Sequence, residues 1–275
     1  MNTYENYNFD SHFQELFEKL SEFFSEKSYS IDKKGENIKA HQVYSFDIEV
    51  NNIIIDYLTQ SIKIPMRIIS EESEEVVIGE KEPELTFVID PVDGSVNVNR
   101  GLNIFSFGIA ILQGTEQLSV NFVIASMVGN LLTNEYYVAR KGCGSYCNNE
   151  AIHASKRTDP KTFMFNFELS HLIKKDFPQF FDIIPEIHQV RSLGSAITAL
   201  SLVARGGIDA HIDIRNRLTI ENILPASLLI LEAGGIITDS RGNELKPTKN
   251  LKTPFNIIAS GNRTIHSWIL KKINV

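Results

Sequence analysis

Two aspartates, Asp90 and Asp93, follow directly on the apolar run 85–89. The run is rich in β-branched residues, which predicts a buried strand. Pro91 has no N–H to donate, so we expect the strand to end there and the two carboxylates to lie in the turn that follows. Acids this close repel each other unless a cation or a proton lies between them. The pair therefore predicts a site for a hard cation that prefers oxygen ligands.

The neighbouring residues favour a phosphate beside such a cation. Gly94 lets the backbone approach a ligand closely, and Ser95 offers a hydroxyl and a helix N-cap. A second predicted strand, 66–70, also ends in acids, Glu71 and Glu72. Ligand sites in α/β sheets usually lie at the carboxyl ends of strands. Cations held there, next to a helix start, would in turn hold a phosphate.

The hydrophobic pattern supplies the elements that must position these residues. We expect helices at 10–27, 42–61, 176–184, 194–205, 223–232 and 264–273. We expect strands, besides the two above, at 104–112, 118–128, 135–139, 163–167, 189–192, 208–214, 236–239 and 256–259. The polar stretch 151–162 is the candidate boundary between two halves, 1–155 and 156–275.

Charge and composition exclude several function classes. The chain has 275 residues and a net charge of -7, which argues against general binding to nucleic acid or to membrane surfaces. Residues 1–10 are polar and no long apolar stretch follows, so we expect no secretory signal, no membrane span and a cytoplasmic location. Cys143 and Cys147 have no further cysteine or histidine pair nearby, which favours ordinary thiols over a zinc site.

Three ordered motifs resemble the signatures of the inositol monophosphatase family, most closely its archaeal-type inositol monophosphatase/fructose-1,6-bisphosphatase branch. They are I-S-E-E-S at 69–73, D-P-V-D-G-S at 90–95 and E-A-G-G at 232–235. One such motif is a weak signal, whereas three in order on consistent elements form a strong one. The resemblance implies a layered α/β fold, an αβαβα sandwich like that of sugar phosphatases. It places an antiparallel sheet in the N-terminal half and a smaller mixed sheet in the C-terminal half.

The resemblance also implies a function. It implies a Mg²⁺-dependent phosphomonoester hydrolase, usually a homodimer, that acts on inositol monophosphate or fructose 1,6-bisphosphate by attack of a metal-activated water. Two or three Mg²⁺ ions would be held by Glu71, Asp90, the carbonyl of Val92, Asp93 and Asn222. A sibling substrate, such as a 3′-phosphoadenosine nucleotide, is an alternative.

The same resemblance assigns catalytic and substrate-binding roles. Asp47 would orient the Ser95 hydroxyl, which would help to take the proton of the water, and Glu72 would lie beside that water or support the metals. Backbone N–H groups of Gly94 and Ser95 would neutralise the phosphate. Without the resemblance, Asp47 would be read as an exposed helical acid.

Two further substrate contacts have structural alternatives. Gly194 and Ser195 would contact the substrate, or would only form a helix start with a close backbone approach. Arg215 would hold a substrate phosphate with two parallel hydrogen bonds, or would be paired with Asp213. Residues 30–44 are predicted to be a loop where the family has a mobile flap. They match its usual sequence poorly, so a solvated loop is an equal alternative.

Asn222 is the main departure from the family pattern. Counting back from Glu232, the third conserved acidic ligand of the family falls on Asn222, preceded by Glu221. An amide oxygen brings a dipole where a full charge is expected, so we expect a weakened second metal. The structural alternative is that Asn222 is only the N-cap of the helix that follows. Glu221 could replace it only if the helix began at a different residue, because adjacent helical side chains point about 100° apart. A catalytically weak relative that only binds sugar phosphates is the second hypothesis.

Overall fold

The computed structural model describes residues 7–26, 40–114, 117–171 and 178–273. Its helices are α1 (Phe9–Glu26), α2 (Ala40–Ser61), α3 (Ser95–Asn99), α4 (Phe180–Ile183), α5 (Ala196–Ala204), α6 (Leu224–Glu232) and α7 (Arg263–Ile273). Its strands are β1 (Met66–Ser70), β2 (Ser73–Ile78), β3 (Leu85–Asp93), β4 (Ser106–Gln113), β5 (Val123–Asn130), β6 (Glu135–Arg140), β7 (Ser145–Cys147), β8 (Glu150–Ala151), β9 (Met164–Phe167), β10 (Gln189–Arg191), β11 (Ala210–Leu218), β12 (Ile236–Asp239) and β13 (Phe255–Ser260).

The first eight strands form one sheet in the order β2-β1-β3-β4-β5-β6-β7-β8. Its pairs are antiparallel except β1 and β3, which are parallel. Alternate side chains of β3 point to opposite faces of this sheet. Phe87 packs with α1 and α2 on one face, and Val88 packs with α5 and α6 on the other.

The remaining five strands form a smaller mixed sheet in the order β10-β9-β11-β13-β12. Ile257 of β13 faces α5 and α6, whereas Ile258 faces α7. The layers are therefore helices, large sheet, helices, small sheet and helix, which confirms the expected αβαβα sandwich. The large sheet ends at Ala151 and the small one begins at Met164. The division into two halves at residue 155 stays a prediction.

The expected end of a strand at Pro91 is wrong. The strand β3 continues to Asp93, and its register against β4 shifts between Asp90, which pairs with Gly108, and Asp93, which pairs with Ser106. One extra residue on β3 is the mark of a β-bulge, and a bulge tolerates a proline because it interrupts the hydrogen-bond ladder. The bulge allows the strand to carry both aspartates.

The E-A-G-G motif at 232–235 has a structural role. The Glu232 carboxylate accepts hydrogen bonds from the backbone N–H groups of Gly142 (2.7 Å) and Gly144 (2.9 Å). It thereby fastens the end of α6 to the turn between β6 and β7. Residues 27–39, which include most of the expected flap, lie outside the described residues. Residues 40–44, also expected to be loop, instead form the start of α2. In the part of the chain that is described, no helix is long and apolar enough to cross a membrane.

Candidate active site

Four acidic residues lie near the place where β1 and β3 end. Because Ser70 pairs with Ile89 in parallel register, Glu71 follows β1 at the place where Asp90 lies on β3. Glu71 and Asp90 are within hydrogen-bond reach of each other, and the charges of neighbouring acids act on both. We call the four acids the open carboxylate cluster; they are Glu71, Asp90, Asp93 and Glu221.

Asp90 lies at the centre of this cluster and is fully buried. Its Oδ1 accepts a hydrogen bond from the Val92 N–H (3.1 Å), and its Oδ2 accepts one from the Asn222 side-chain amide (2.9 Å). Burial, and then the charges of Glu71 and Asp93, raise the pKa of Asp90 well above its usual range. Asp90 is therefore a carboxyl that ionises readily only when positive charge is brought to it.

Asp93 faces the start of α5. Its Oδ2 accepts hydrogen bonds from the Ser195 hydroxyl (2.6 Å) and from the Ile197 N–H (2.6 Å). Burial raises the pKa of Asp93 to about 6, although these hydrogen bonds act in the opposite direction. Ser195 caps α5 and is itself buried, and Gly194 precedes it with φ +70°. The Ser195 hydroxyl thus donates to Asp93. Its contact with substrate stays a prediction.

The structure brings Asp47 and Ser95 together. The Ser95 Oγ lies 3.1 Å from Asp47 Oδ2 and 3.0 Å from the Val92 carbonyl oxygen. Asp47 is buried, and its Oδ1 has no hydrogen-bond partner among the described residues. Burial, followed by the charge of Glu72, raises the pKa of Asp47 to about 6 despite the Ser95 hydrogen bond. This is the contact that the expected orientation of the Ser95 hydroxyl requires. Asp47 is not an exposed helical acid.

Asn222 lies beside Asp90 but turns its oxygen away from it. Its Oδ1 accepts from the Thr219 N–H (3.2 Å) and lies 3.0 Å from Thr219 Oγ1, and its amide nitrogen donates to Asp90. Residues 220–222 form a 3₁₀ turn, and α6 begins only at Leu224 with Ile223 as its N-cap. Asn222 is therefore not the N-cap of α6.

A cavity of about 580 Å³ adjoins the cluster. Asp93, Asn222 and Gly194 line it on the side of the carboxylates, and Arg215 and Arg217 also line it. A larger cavity of about 680 Å³ is lined by residues 62–65, which precede β1, at the end of that strand opposite to Glu71. Only the smaller cavity combines the cluster with arginines, so it is the candidate substrate pocket.

Arg215 is held mainly by acids of the protein. Its guanidinium makes two parallel hydrogen bonds to Asp213 (2.9 and 2.6 Å), and its Nη1 lies 3.6 Å from Glu168 Oε1. We call these three residues the arginine cluster. The alternative in which Arg215 pairs with Asp213 is therefore present, although Arg215 also lines the cavity. Sequence reasoning missed Arg217, which is exposed and lines the same cavity as Arg215.

The chemistry of the donors fits a hard divalent cation. Asp47 Oδ1 and Glu221 Oε2 are buried oxygens without a hydrogen-bond partner among the described residues, and the other donors are carboxylates that repel one another. In the described ranges no three acidic, histidine or cysteine side chains converge around one point. The number of ions and the identity of the ligands stay predictions.

Comparison with known proteins gives consistent matches over nearly the whole chain. The model of the inositol monophosphatase family matches residues 5–274. The fructose-1,6-bisphosphatase/inositol-1-monophosphatase of Methanothermobacter thermautotrophicus is 32% identical over 77% of this chain and 76% of its own. Human inositol monophosphatase 1 is 28% identical over 85% and 82%. A solved structure of a Thermotoga maritima IMPase has the same fold, with a TM-score of 0.76 at 23% identity over 97% and 96%.

Proposed function

This chain belongs to the inositol monophosphatase family, and on that premise we propose that it is a Mg²⁺-dependent phosphomonoester hydrolase. Its substrates would be inositol monophosphate, fructose 1,6-bisphosphate or both, as the name of the Methanothermobacter relative suggests. The observation that carries the proposal is the open carboxylate cluster beside a cavity of about 580 Å³ that two arginines also line. An acidic cluster next to a pocket with arginines suits a phosphate ester that is bound through cations.

The ligands of those cations would be the carboxylates of Glu71, Asp90 and Asp93 and the carbonyl oxygen of Val92. Two or three Mg²⁺ ions are expected. When bound, they would supply the Lewis acidity that polarises the phosphate and lowers the pKa of a water.

The protein's own groups would handle the proton and the phosphate. Ser95 donates to Asp47, so the pair can relay the proton of the attacking water to a buried carboxylate whose pKa is raised to about 6. Glu72 would lie beside that water. The backbone N–H groups of Gly94 and Ser95 would donate to the phosphate oxygens as charge develops there. Arg215, Arg217 and Gly194 line the cavity in which the substrate would lie.

The test is phosphate release from inositol 1-phosphate and fructose 1,6-bisphosphate across a Mg²⁺ titration. We expect turnover that depends on Mg²⁺ in the wild type, and its loss in Asp90→Asn. The exposed acid Glu150 offers a matched control, and Glu150→Gln should behave as the wild type. Turnover that is unaffected by removal of Mg²⁺, or that survives in Asp90→Asn, would contradict the proposal.

One observation favours a second candidate function, a sugar-phosphate-binding protein with little catalysis. Asn222 presents an N–H donor to Asp90 where the family pattern has a carboxylate. Asn222→Asp separates the two candidates. No wild-type turnover at any Mg²⁺ concentration, with turnover in Asn222→Asp, would mean a binding protein. Turnover by the wild type itself would exclude that candidate. A 3′-phosphoadenosine nucleotide belongs in the same assay as a third substrate.

The family resemblance extends the proposal to a homodimer in the cytoplasm. Sedimentation of the full chain at several concentrations tests the first part. A mass of one chain at all concentrations would contradict it.

A further inference from the structure

We propose that Glu221, rather than Asn222, supplies the carboxylate that completes the cation site, and that Asn222 instead positions Asp90. This inference rests on the proposed function, because it concerns the ligands of the same site. It assigns a ligand at a position where the family pattern does not have one.

The burial of Glu221 is the first observation. The residue is only 3% exposed, and its Oε1 accepts a hydrogen bond from the Thr219 hydroxyl. Its Oε2 is buried and has no hydrogen-bond partner among the described residues. A carboxylate oxygen that is removed from water without a partner costs free energy unless a cation compensates it. Glu221 therefore has a free ligand atom in the protein interior.

The free oxygen belongs to the open carboxylate cluster. The turn 220–222 packs against β3, which carries Asp90 and Asp93. The next residue of the turn, Asn222, donates to Asp90 at 2.9 Å, so the turn brings Glu221 to the cluster, and the charge of Glu221 contributes to the raised pKa of Glu71. Glu221 thus approaches the cluster from the C-terminal half, as the missing third acid would.

Asn222 is excluded as a ligand by its hydrogen bonds. The Thr219 backbone N–H can only donate, so the atom of Asn222 that faces it must be the carbonyl oxygen. The NH₂ group then faces Asp90, to which it donates at 2.9 Å. An NH₂ group has no lone pair available for a cation. Asn222 can fix the Asp90 carboxylate in place, which makes it a positioning residue.

The local backbone explains how Glu221, the residue before Asn222, can act as the cation ligand. From the sequence alone, Glu221 could reach the site only with a changed backbone at the head of the helix, and the structure has a 3₁₀ turn there. Residues 220–222 form a 3₁₀ turn, in which successive side chains point about 120° apart, and α6 begins at Leu224. Asn222 then donates to Asp90, while Glu221, whose side chain is longer, keeps its free oxygen buried beside β3.

The test measures metal binding directly, by calorimetric titration of the full chain with Mg²⁺ and with Mn²⁺. Four proteins are compared: the wild type, Glu221→Gln, Asn222→Ala, and the double variant Glu221→Gln/Asn222→Asp. Urea unfolding without metal is recorded for each.

We expect Glu221→Gln to bind the cations weaker by roughly one to two orders of magnitude, since even residues that only support a ligand cost about 10–100-fold. Its metal-free form should be more stable than the wild type, because a buried charge has been removed. Asn222→Ala should lose less affinity. The double variant should regain binding, because it places an aspartate where the family pattern has one. Binding by the double variant would also show that the weaker binding of Glu221→Gln is not caused by misfolding.

Binding by Glu221→Gln equal to that of the wild type, with loss in Asn222→Ala, would overturn the assignment while leaving the proposed function intact. A wild-type chain that binds neither cation would overturn the proposed function itself. The two failures are therefore distinguishable, and neither depends on knowing the substrate.

Discussion

Two groups of buried acids in this chain differ in how their negative charge is compensated. In the arginine cluster, the fully buried Asp213 is matched by two hydrogen bonds from the Arg215 guanidinium. In the open carboxylate cluster, the equally buried Asp90 is surrounded by further acids and is held by an amide and a backbone N–H. The described contacts of Asp90 include no lysine or arginine.

The difference teaches how to separate a structural acid from a functional one. Burial and clustering of acids occur in both places, so neither feature alone indicates a cation site. What differs is the source of the compensating charge. The arginine cluster is complete within the chain, whereas the open carboxylate cluster is stable in its ionised form only with a charge from outside.

The largest expected effect follows from breaking the arginine cluster. Arg215→Met keeps an unbranched apolar stem but removes the guanidinium, which leaves Asp213 and Glu168 buried without their cation. We expect the free energy of unfolding to fall by about 3–5 kcal/mol, measured by urea denaturation. The exposed neighbour Arg217 is the control, and Arg217→Met should change stability by less than about 0.5 kcal/mol. Equal effects of the two substitutions would show that Arg215 does not compensate the acids.

Replacing a glutamate by glutamine should change the free energy of unfolding in opposite directions in the two clusters. Glu71→Gln removes a repelling charge from beside Asp90, whereas Glu168→Gln removes a charge that Arg215 uses. Without metal, at pH 8, we expect the first to raise the free energy of unfolding and the second to lower it, each by about 1–2 kcal/mol. Urea denaturation measures both. A change of the free energy of unfolding in the same direction for both variants would contradict the distinction between the clusters.

Stabilisation by Mg²⁺ should depend on pH. The pKa of Glu71 is raised to about 7, and those of Asp47 and Asp93 to about 6. The metal-free folded state therefore keeps these protons to a higher pH than the unfolded chain does. The contribution of the protonated acids to the free energy of unfolding is complete below about pH 4, and it is lost as the pH rises through 6 to 7. Mg²⁺ should bind the ionised acids and offset that loss.

We therefore expect saturating Mg²⁺ to raise Tm by a few degrees more at pH 8 than at pH 5, measured by scanning calorimetry. Comparing each pH with and without Mg²⁺ cancels the titration of other groups, such as the buried His211, whose pKa is lowered to about 4 by burial. A shift in Tm that is the same at both pH values would contradict the raised pKa of the cluster.

The smallest effect is expected at an acid compensated by backbone N–H groups. Glu232 accepts from Gly142 and Gly144, and Glu232→Gln leaves one of these donors facing an NH₂ group. We expect a loss of about 1 kcal/mol in the free energy of unfolding. The affinity for Mg²⁺ should stay that of the wild type, which calorimetric titration checks. A weaker affinity would mean that Glu232 supports the cation site.

Much of the fold could be predicted from the sequence. The periodic apolar residues of α1 and α2 and the β-branched runs of β1 and β3 gave elements that agree with the structure to within a few residues. The errors arose where local rules met a tertiary constraint. A proline predicts the end of a strand, but β3 absorbs Pro91 in a bulge. The strand β2 was missed because its charged, exposed residues resemble a loop.

The candidate site was predictable in part. The family resemblance brought together Asp47 and Ser95, which are distant in sequence and adjacent in the structure. It could not decide between the two alternatives for Arg215, because a salt bridge depends on where the guanidinium lies and not on its position in the motif.

The sequence by itself determined which acids are present, that two pairs of them follow predicted strands, and the family to which the chain is related. These properties follow from covalent order and from local preferences of the backbone. Only the tertiary structure decided which acids receive a partner. Arg215 reaches Asp213, Asn222 turns its amide to Asp90, and Glu221 keeps a buried oxygen free. The physical reason is that electrostatic compensation and hydrogen bonding depend on distances through space, which arise only when segments far apart in the chain pack together.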